Sequence, residues 1–262
     1  MSFIDLAQLK ERLGPLAGRF DVDALDECDS TNSELLRRAA GGAPSGSTVV
    51  AQRQLAGRGR RGRNWISQPQ DSLTFSLLWR LPSGQPPSGL SLAVGLALLE
   101  ALQAQGAQHL ALKWPNDLLY LRAGESAKLA GILIELSSDA RGMLACIGIG
   151  LNLRAPSGDF ASPVAGLDET LPALPPAHAL LASILRALAQ RLDTFTQAGF
   201  APLQADWMRH HAWQDSPVNL LADGALEISG LCRGVDADGA LLLETGEGLQ
   251  RILAGDLSLR RA

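Results

Sequence analysis

Gln54-Leu55-Ala56-Gly57-Arg58-Gly59-Arg60-Arg61-Gly62-Arg63-Asn64-Trp65 is the stretch on which the fold class turns. It contains Gly57-Arg58-Gly59-Arg60-Arg61-Gly62, formally the G-x-G-x-x-G of a dinucleotide-binding fold, and Ser47-Thr48-Val49-Val50-Ala51 before it reads as a strand. That fingerprint needs a helix opening at the glycines and an acidic residue about 20 positions on. Asn64-Trp65-Ile66-Ser67-Gln68-Pro69 starts no helix, and the window near Leu81-Pro82 holds no acid. The context rules against a Rossmann site, and the missing G-K-[ST] excludes a Walker A loop. What remains is an anion-binding loop. Arg53, Arg58, Arg60, Arg61 and Arg63 fall within eleven residues of a 262-residue chain of net charge −4, so the positive field is local. Glycine lets backbone N–H groups approach a ligand closely, and the guanidinium fork matches two oxygens of a phosphate or carboxylate. The competing reading is a solvated basic surface for nucleic acid.

The rest of the chain bounds the class. Its 46% hydrophobic content supports a large core. Asp5 interrupts the N-terminus where a signal peptide needs an apolar run, and no stretch approaches the roughly 18 apolar residues of a membrane span, so a cytoplasmic protein without a membrane partner is expected. Cys28, Cys146 and Cys232 are odd in number and far apart, which suits reduced structural thiols. Adjacent His210 and His211 lack any supporting ligand spacing and read as a solvated helix end.

Leu6, Leu9 and Leu13 have helical spacing, with Gly14-Pro15 as a stop. Thr31 and Glu34 have the T-x-x-E spacing of a capping box, at a helix start whose small polar side chains also suit a polar ligand head. Residues 72–80 alternate as a half-buried strand, and 90–105 form a helix apolar nearly all round. A strand then delivers Lys113 and breaks at Pro115, placing Lys113, Asn116 and Asp117 at a strand end. Further strands cover 128–135 and 143–153, where Gly131, Gly148 and Gly150 signal bulges or close ligand approach. Residues 154–176 read as a surface loop, and 177–195 and 202–211 as helices. From Pro217 the period changes to short strands joined by Asp223-Gly224, Asp238-Gly239 and Gly246-Glu247-Gly248, a β-meander of small barrel type. The fold class is α/β (α+β): a mixed sheet flanked by helices over 1–215, then a small β domain over 216–262.

In one order the chain carries Asp29-Ser30-Thr31-Asn32, Gln54-x-x-Gly57-Arg58-Gly59-Arg60-Arg61-Gly62-Arg63-x-Trp65, Lys113-Trp114-Pro115-Asn116-Asp117, Lys128-Leu129-Ala130-Gly131-Ile132-Leu133-Ile134-Glu135 and Gly148-x-Gly150-x-Asn152. With these it resembles biotin–protein ligase from Ser30 onward, and Arg233-Gly234-Val235-Asp236-x-x-Gly239-x-Leu241 looks like that family's SH3-like C-terminal barrel. Only 29 residues precede Ser30, so the resemblance is to the monofunctional type without an N-terminal winged helix, and no DNA partner is expected.

The resemblance implies a two-step reaction. Biotin and ATP, with magnesium, give biotinyl-5′-adenylate, and a lysine of the biotin carboxyl carrier protein of acetyl-CoA carboxylase then takes the biotinyl group. No tightly bound prosthetic group is implied, and self-association into a homodimer through a sheet edge is left open. Joining two anions calls for cationic donors at the reacting centre, so Arg58, Arg60 and Lys113 are the catalytic candidates. Ser30, Thr31, Asn32, Gln54, Gly57, Arg58, Gly59, Arg60 and Lys113 would hold biotin. Arg58, Arg60, Arg61, Arg63, Trp65, Asn116, Asp117 and Asn152 would hold ATP, with Trp65 against adenine or nearby apolar surface; magnesium ligands are not identifiable. Ala127 stands where a second basic residue often precedes the lysine of this motif, so Lys128 stays outside the catalytic set. The nearest rival is a lipoate or octanoate–protein ligase, and the remote one a nucleic-acid-binding regulator, disfavoured by net acidity.

Overall fold

The structure, a computed structural model, describes residues 3–122, 124–139, 142–222, 224–255 and 257–262. Helix α1 (Leu6–Leu13) is capped by Asp5, which accepts from the N–H groups of Ala7 and Gln8, and it ends at Gly14, whose φ of 56° only glycine adopts freely. Strand β1 (Asp21–Cys28), helix α2 (Thr31–Ala40), and strands β2 (Ser47–Gln54) and β3 (Ser72–Leu81) follow. Helix α3 (Leu90–Ala104) leads to β4 (Leu110–Lys113), β5 (Asp117–Arg122), β6 (Glu125–Asp139) and β7 (Gly142–Asn152). These strands form one mixed sheet in the order β1-β2-β3-β7-β6-β5-β4, parallel only between β1 and β2. Helix α3 and the long α4 (Ala177–Ala198) cover one face, and α2 covers part of the other.

Helix α3 buries its residues on every side from Leu90 to Leu102 except at Ser91 and Glu100, because it lies between the sheet and α4. Strand β3, expected to be half-buried, is covered on both faces. Its alternation is nonetheless meaningful: Leu73, Phe75 and Leu77 enter the main core, while Thr74 and Ser76 face the opposite side, which is enclosed rather than wet. The expected capping box is absent. Ser30 takes the N-cap position with no side-chain bond, and Glu34 pairs with Arg37 and Arg38 instead of closing back on the backbone. Thr31, already inside the helix, donates its N–H to Gln54 Oε1 at 2.8 Å. The helix start is therefore tied to a neighbouring strand and not to itself.

After the short helix α5 (Gln204–Arg209) the chain enters a second, antiparallel sheet: β8 (Pro217–Ala222), β9 (Ala225–Val235), β10 (Leu241–Thr245), β11 (Gly248–Ile252) and β12 (Leu257–Arg261), in the order β11-β10-β9-β8-β12. This matches the SH3-like expectation. The turns at 238–239 and 246–247 join paired strands; of the Asp223-Gly224 signal, Asp223 lies outside the described residues. The small sheet shares one hydrophobic core with the large one, through Val218, Leu220, Cys232 and Leu241 on its side and Trp207 and Trp213 on the other. Trp114 Nε1 donates to the Gly239 carbonyl across the junction at 3.1 Å. Such sharing is the physical answer to a unit of this size, which buries too little apolar surface alone.

His211 departs from the solvated reading. It is 8% exposed, stacked on Trp207 with ring centroids 4.7 Å apart, and burial pushes its pKa down to about 4. The cause is tertiary: its neighbours clamp β4, with Leu112 N–H donating to His210 O and Ala212 N–H to Leu112 O.

Candidate active site

Cross-strand register builds the floor of the site. Thr74 pairs with Gly150, Gly150 with Gly131, Gly131 with Asp117, and Asp117 with Lys113, so one row crosses five strands on a single face. In the neighbouring row Ser76 pairs with Gly148 and Gly148 with Leu133. The glycines leave the middle of this face bare. A Cβ on Gly148 would lie 2.3 Å from Asn32 Oδ1, and one on Gly150 would lie 2.3 Å from the Trp65 ring, so neither position has room for a side chain. These are close approaches of helix α2 and of the arginine loop, not bulges.

Two adjoining chambers stand on this floor. The inner one is lined by Ser30, Thr31, Asn32, Gln54, Arg58, Thr74 and the glycine patch. The outer one is lined by Arg61, Arg63, Lys113, Asp117, Asn152, Phe160, Val164 and, from β12, Arg260. Gly59, Arg60, Trp65, Asn116 and Lys128 line both. Trp65 lies over the glycine patch as the partition, with Lys128 Nζ 5.7 Å from its ring centroid.

The arginine loop folds back on itself. Trp65 N–H donates to Gly57 O at 2.8 Å and Gly59 N–H to Arg63 O at 2.7 Å. Arg60 Nη1 donates to Asn116 Oδ1 at 3.1 Å and Nη2 to Gly255 O at 2.5 Å, bridging the large sheet and the small one. Arg58 turns away from the junction and pairs with Glu135 at 2.7 Å.

The inner chamber is rich in acceptors. Asn32 Nδ2 donates to Glu135 Oε2 at 2.8 Å, so Asn32 Oδ1 faces Ser76 Oγ at 2.6 Å. Ser76 Oγ also lies 2.7 Å from Thr31 Oγ1, which lies 3.2 Å from Gln54 Oε1. Gln54 Oε1 already accepts the Thr31 N–H, so the two hydroxyl protons can run from Thr31 to Ser76 and from Ser76 to Asn32, and the four oxygens keep lone pairs to spare. A ligand bringing N–H donors can use that spare acceptor capacity.

The outer chamber works through charge. Asp117 takes Lys113 at 3.1 Å and Lys128 at 2.6 Å. Against the opposing effect of burial, those two ammonium groups hold its carboxyl well below the usual range. Lys113 is buried, which pushes its pKa down against the pull of Asp117, and its ammonium lies 5.4 Å from the Trp213 ring centroid. Burial also lowers Arg260, and Arg63 and Arg61 push it the same way, while Asp117 pulls back. Among the described residues that line this chamber, Asp117 is the one carboxylate, and the cations gathered near it make a place for an anionic ligand.

Comparison with known proteins places the chain in a family. The biotin/lipoate A/B protein ligase family model matches residues 26–152, and the biotin protein ligase C-terminal domain model matches 215–260. The biotin–[acetyl-CoA-carboxylase] ligase of Paracoccus denitrificans is 38% identical over 89% of this chain and 98% of its own length. The chain belongs to the biotin–protein ligase family. The bifunctional ligase/repressor BirA of Escherichia coli K12 is 38% identical over 99% of this chain and 80% of its own length. The biotin protein ligase of Aquifex aeolicus, solved with biotin and ATP, superposes with a TM-score of 0.75 at 29% identity, covering 92% of this chain and 99% of that one.

Within this biotin–protein ligase family fold, the expected biotin residues Ser30, Thr31, Asn32, Gln54, Arg58, Gly59 and Arg60 gather at the inner chamber. Gly57 stands behind the loop, where a Cβ would meet Trp65 O at 2.4 Å, and Lys113 lines only the outer chamber. Of the residues expected to hold ATP, Arg60, Arg61, Arg63, Trp65, Asn116, Asp117 and Asn152 line the outer chamber and Arg58 does not. Asn152 also pins the 163–165 segment, donating from Nδ2 to Ala165 O at 3.2 Å. Sequence reasoning left out Lys128, yet among the described residues it is one of two cations common to both chambers. It also missed Thr74 and Ser76, legible as the polar face of β3, and Arg260, for which no local signal exists. Burial pushes the Cys146 thiol up to about 12 and Cys28 to about 11, with the acids nearest each adding to the shift, so both stay protonated and take no nucleophilic part.

The residues present do not fit a protein-held magnesium site. Among the described residues no group of three or more His, Cys, Asp or Glu comes together, and both lysines already engage Asp117. No described helix is long and apolar enough to cross a membrane.

Proposed function

We propose that the inner chamber takes the ureido ring of biotin, that the outer one takes ATP, and that biotin is activated between them as biotinyl-5′-adenylate. The observation that carries this reading is the shared junction, where Arg60 and Lys128 reach both chambers at once. In the first step the biotin carboxylate attacks the α-phosphorus, a P–O bond forms, and the bond to the leaving pyrophosphate breaks. Two anions must approach, so cations pre-placed at the junction lower the barrier by an amount not recovered in the ground state. Arg60 is braced by Asn116 and Gly255, and Lys128 by Asp117, so both are oriented before substrate arrives. In the second step a lysine amine of the biotin carboxyl carrier protein attacks the acyl carbon, a C–N bond forms, and AMP departs. The inner chamber's spare acceptors match a ring with two N–H groups, which lipoate and octanoate lack.

Biotin-dependent exchange of pyrophosphate into ATP tests the first step, with lipoate and octanoate in parallel. Exchange with biotin alone supports the reading; exchange with lipoate moves the chain to the sister activity; exchange with none overturns it. Transfer of labelled biotin to the apo carrier domain then tests the acceptor.

A further inference from the structure

A hydrogen-bond chain runs beneath the inner chamber and reaches the arginine loop at both ends. At the rear, Gln54 N–H donates to Ser67 Oγ at 2.8 Å, and Gln54 Oε1 receives the Thr31 N–H. Thr31, Ser76 and Asn32 continue it, and at the front Glu135 Oε2 accepts both Asn32 Nδ2 at 2.8 Å and Arg58 Nη2 at 2.7 Å. One carboxylate oxygen thus holds a floor residue and a loop residue together. Asn32 is 3% exposed, and turning its amide over would set Oδ1 against both the carboxylate and the Leu133 carbonyl that Nδ2 also reaches at 3.3 Å, so Glu135, the shorter contact, holds Asn32 in this orientation together with that carbonyl. That choice orders Ser76 and leaves the Thr31 and Gln54 oxygens to receive ligand N–H groups.

We propose that Glu135 is a positioning residue for biotin: through Asn32 it orders the acceptors of the inner chamber, and through Arg58 it holds the arginine loop shut over them. The inference rests on the inner chamber being the biotin site. A purely structural role is disfavoured by exposure. The side chains of Glu135 and Arg58 are 27% and 44% exposed, and buried Asn32 keeps the Leu133 carbonyl, so the empty fold loses little when the Glu135 contacts go.

The test uses the full chain with Glu135→Gln, Arg58→Gln and both together, after the wild type has shown biotin-dependent exchange. Glu135→Gln is expected to raise the biotin KM on the order of tenfold, the loss typical of a hydrogen bond to a charged group. The ATP KM and the ligand-free Tm stay close to wild type. Trypsin cuts the loop of the variant equally with and without biotin plus ATP, where the wild type gains protection. The double variant is no worse than Glu135→Gln alone, because the two side chains act as one unit. An unchanged biotin KM, losses that multiply in the double variant, or a KM rise for both substrates with a fallen Tm would overturn the proposal. A wild type that exchanges nothing with biotin fails earlier and sinks the ligand reading itself.

Discussion

The two chambers share a floor and solve opposite problems. The inner one sets amides and hydroxyls on a bare glycine patch, with spare acceptor capacity among four linked oxygens. The outer one is a cationic cleft assembled from the arginine loop, two lysines and an arginine of the small sheet around Asp117, the one carboxylate among its described lining residues. Directional hydrogen bonds discriminate between small ligands, because each unmatched buried polar group costs the wrong ligand dearly. Charge does not discriminate so finely, but it stabilises a phosphoryl group whose charge rises during reaction. On the proposed reading, binding selectivity and chemical acceleration are housed in separate rooms, joined at Arg60 and Lys128.

Removing a junction cation strikes both rooms. Lys128→Ala is expected to lower kcat of the exchange reaction by about two to three orders of magnitude, the effect of deleting one pre-placed donor. Lys113→Ala, on the outer wall only, should cost far less kcat and show more of its loss in ATP KM and thermal stability, since it strips a partner from buried Asp117. Equal kcat losses in the two variants would erase the distinction between junction and wall. Next in size, Gly148→Ala drives a methyl into Asn32 and should raise the biotin KM about tenfold while leaving the ATP KM near wild type. Arg260→Ala is the mirror image, with ATP KM up several-fold, roughly what losing one partly screened charge contact costs, and biotin binding unchanged in equilibrium titration. Crossed effects, with Gly148→Ala acting on ATP, would show that the chambers are not separate.

A separate effect, on stability and set by pH, concerns the junction between the sheets. Folded His211 takes a proton only below about 4, against an ordinary value of 6.5. Between those values the unfolded chain binds more protons, so this contribution is complete above about pH 6.5 and is lost as pH falls toward 4, by up to about 3 kcal/mol. Thermal melts from pH 7 to 4.5 should fall steeply in the wild type and less so in His211→Gln.

The rooms differ in legibility too. Ser30, Thr31, Asn32, Gln54 and the glycines of 148–150 sit in short motifs whose chemistry can be read in place, and the alternation of Thr74 and Ser76 in β3 was already that of a polar face. What misled was the assumption that polar meant wet and that T-x-x-E meant a closed cap. Covering by α2 and the loop made the face a chamber, and Gln54 took the N–H that a capping box leaves to itself.

Motifs, period and composition were enough to establish the family resemblance, the mixed sheet with its small β appendage, and an arginine loop built for anions, because each depends on residues close together in the chain. Which lysine stands at the junction was not decided there. Lys113 and Lys128 carry the same charge, and only the pairing of β4, β5 and β6 sets one on the wall and the other between the chambers. Arg260 reaches the cleft, His211 loses its water and Glu135 meets Arg58 for the same reason: folding sets side chains far apart in sequence within a few ångströms, where burial and neighbouring charge, not residue type, decide what each can do.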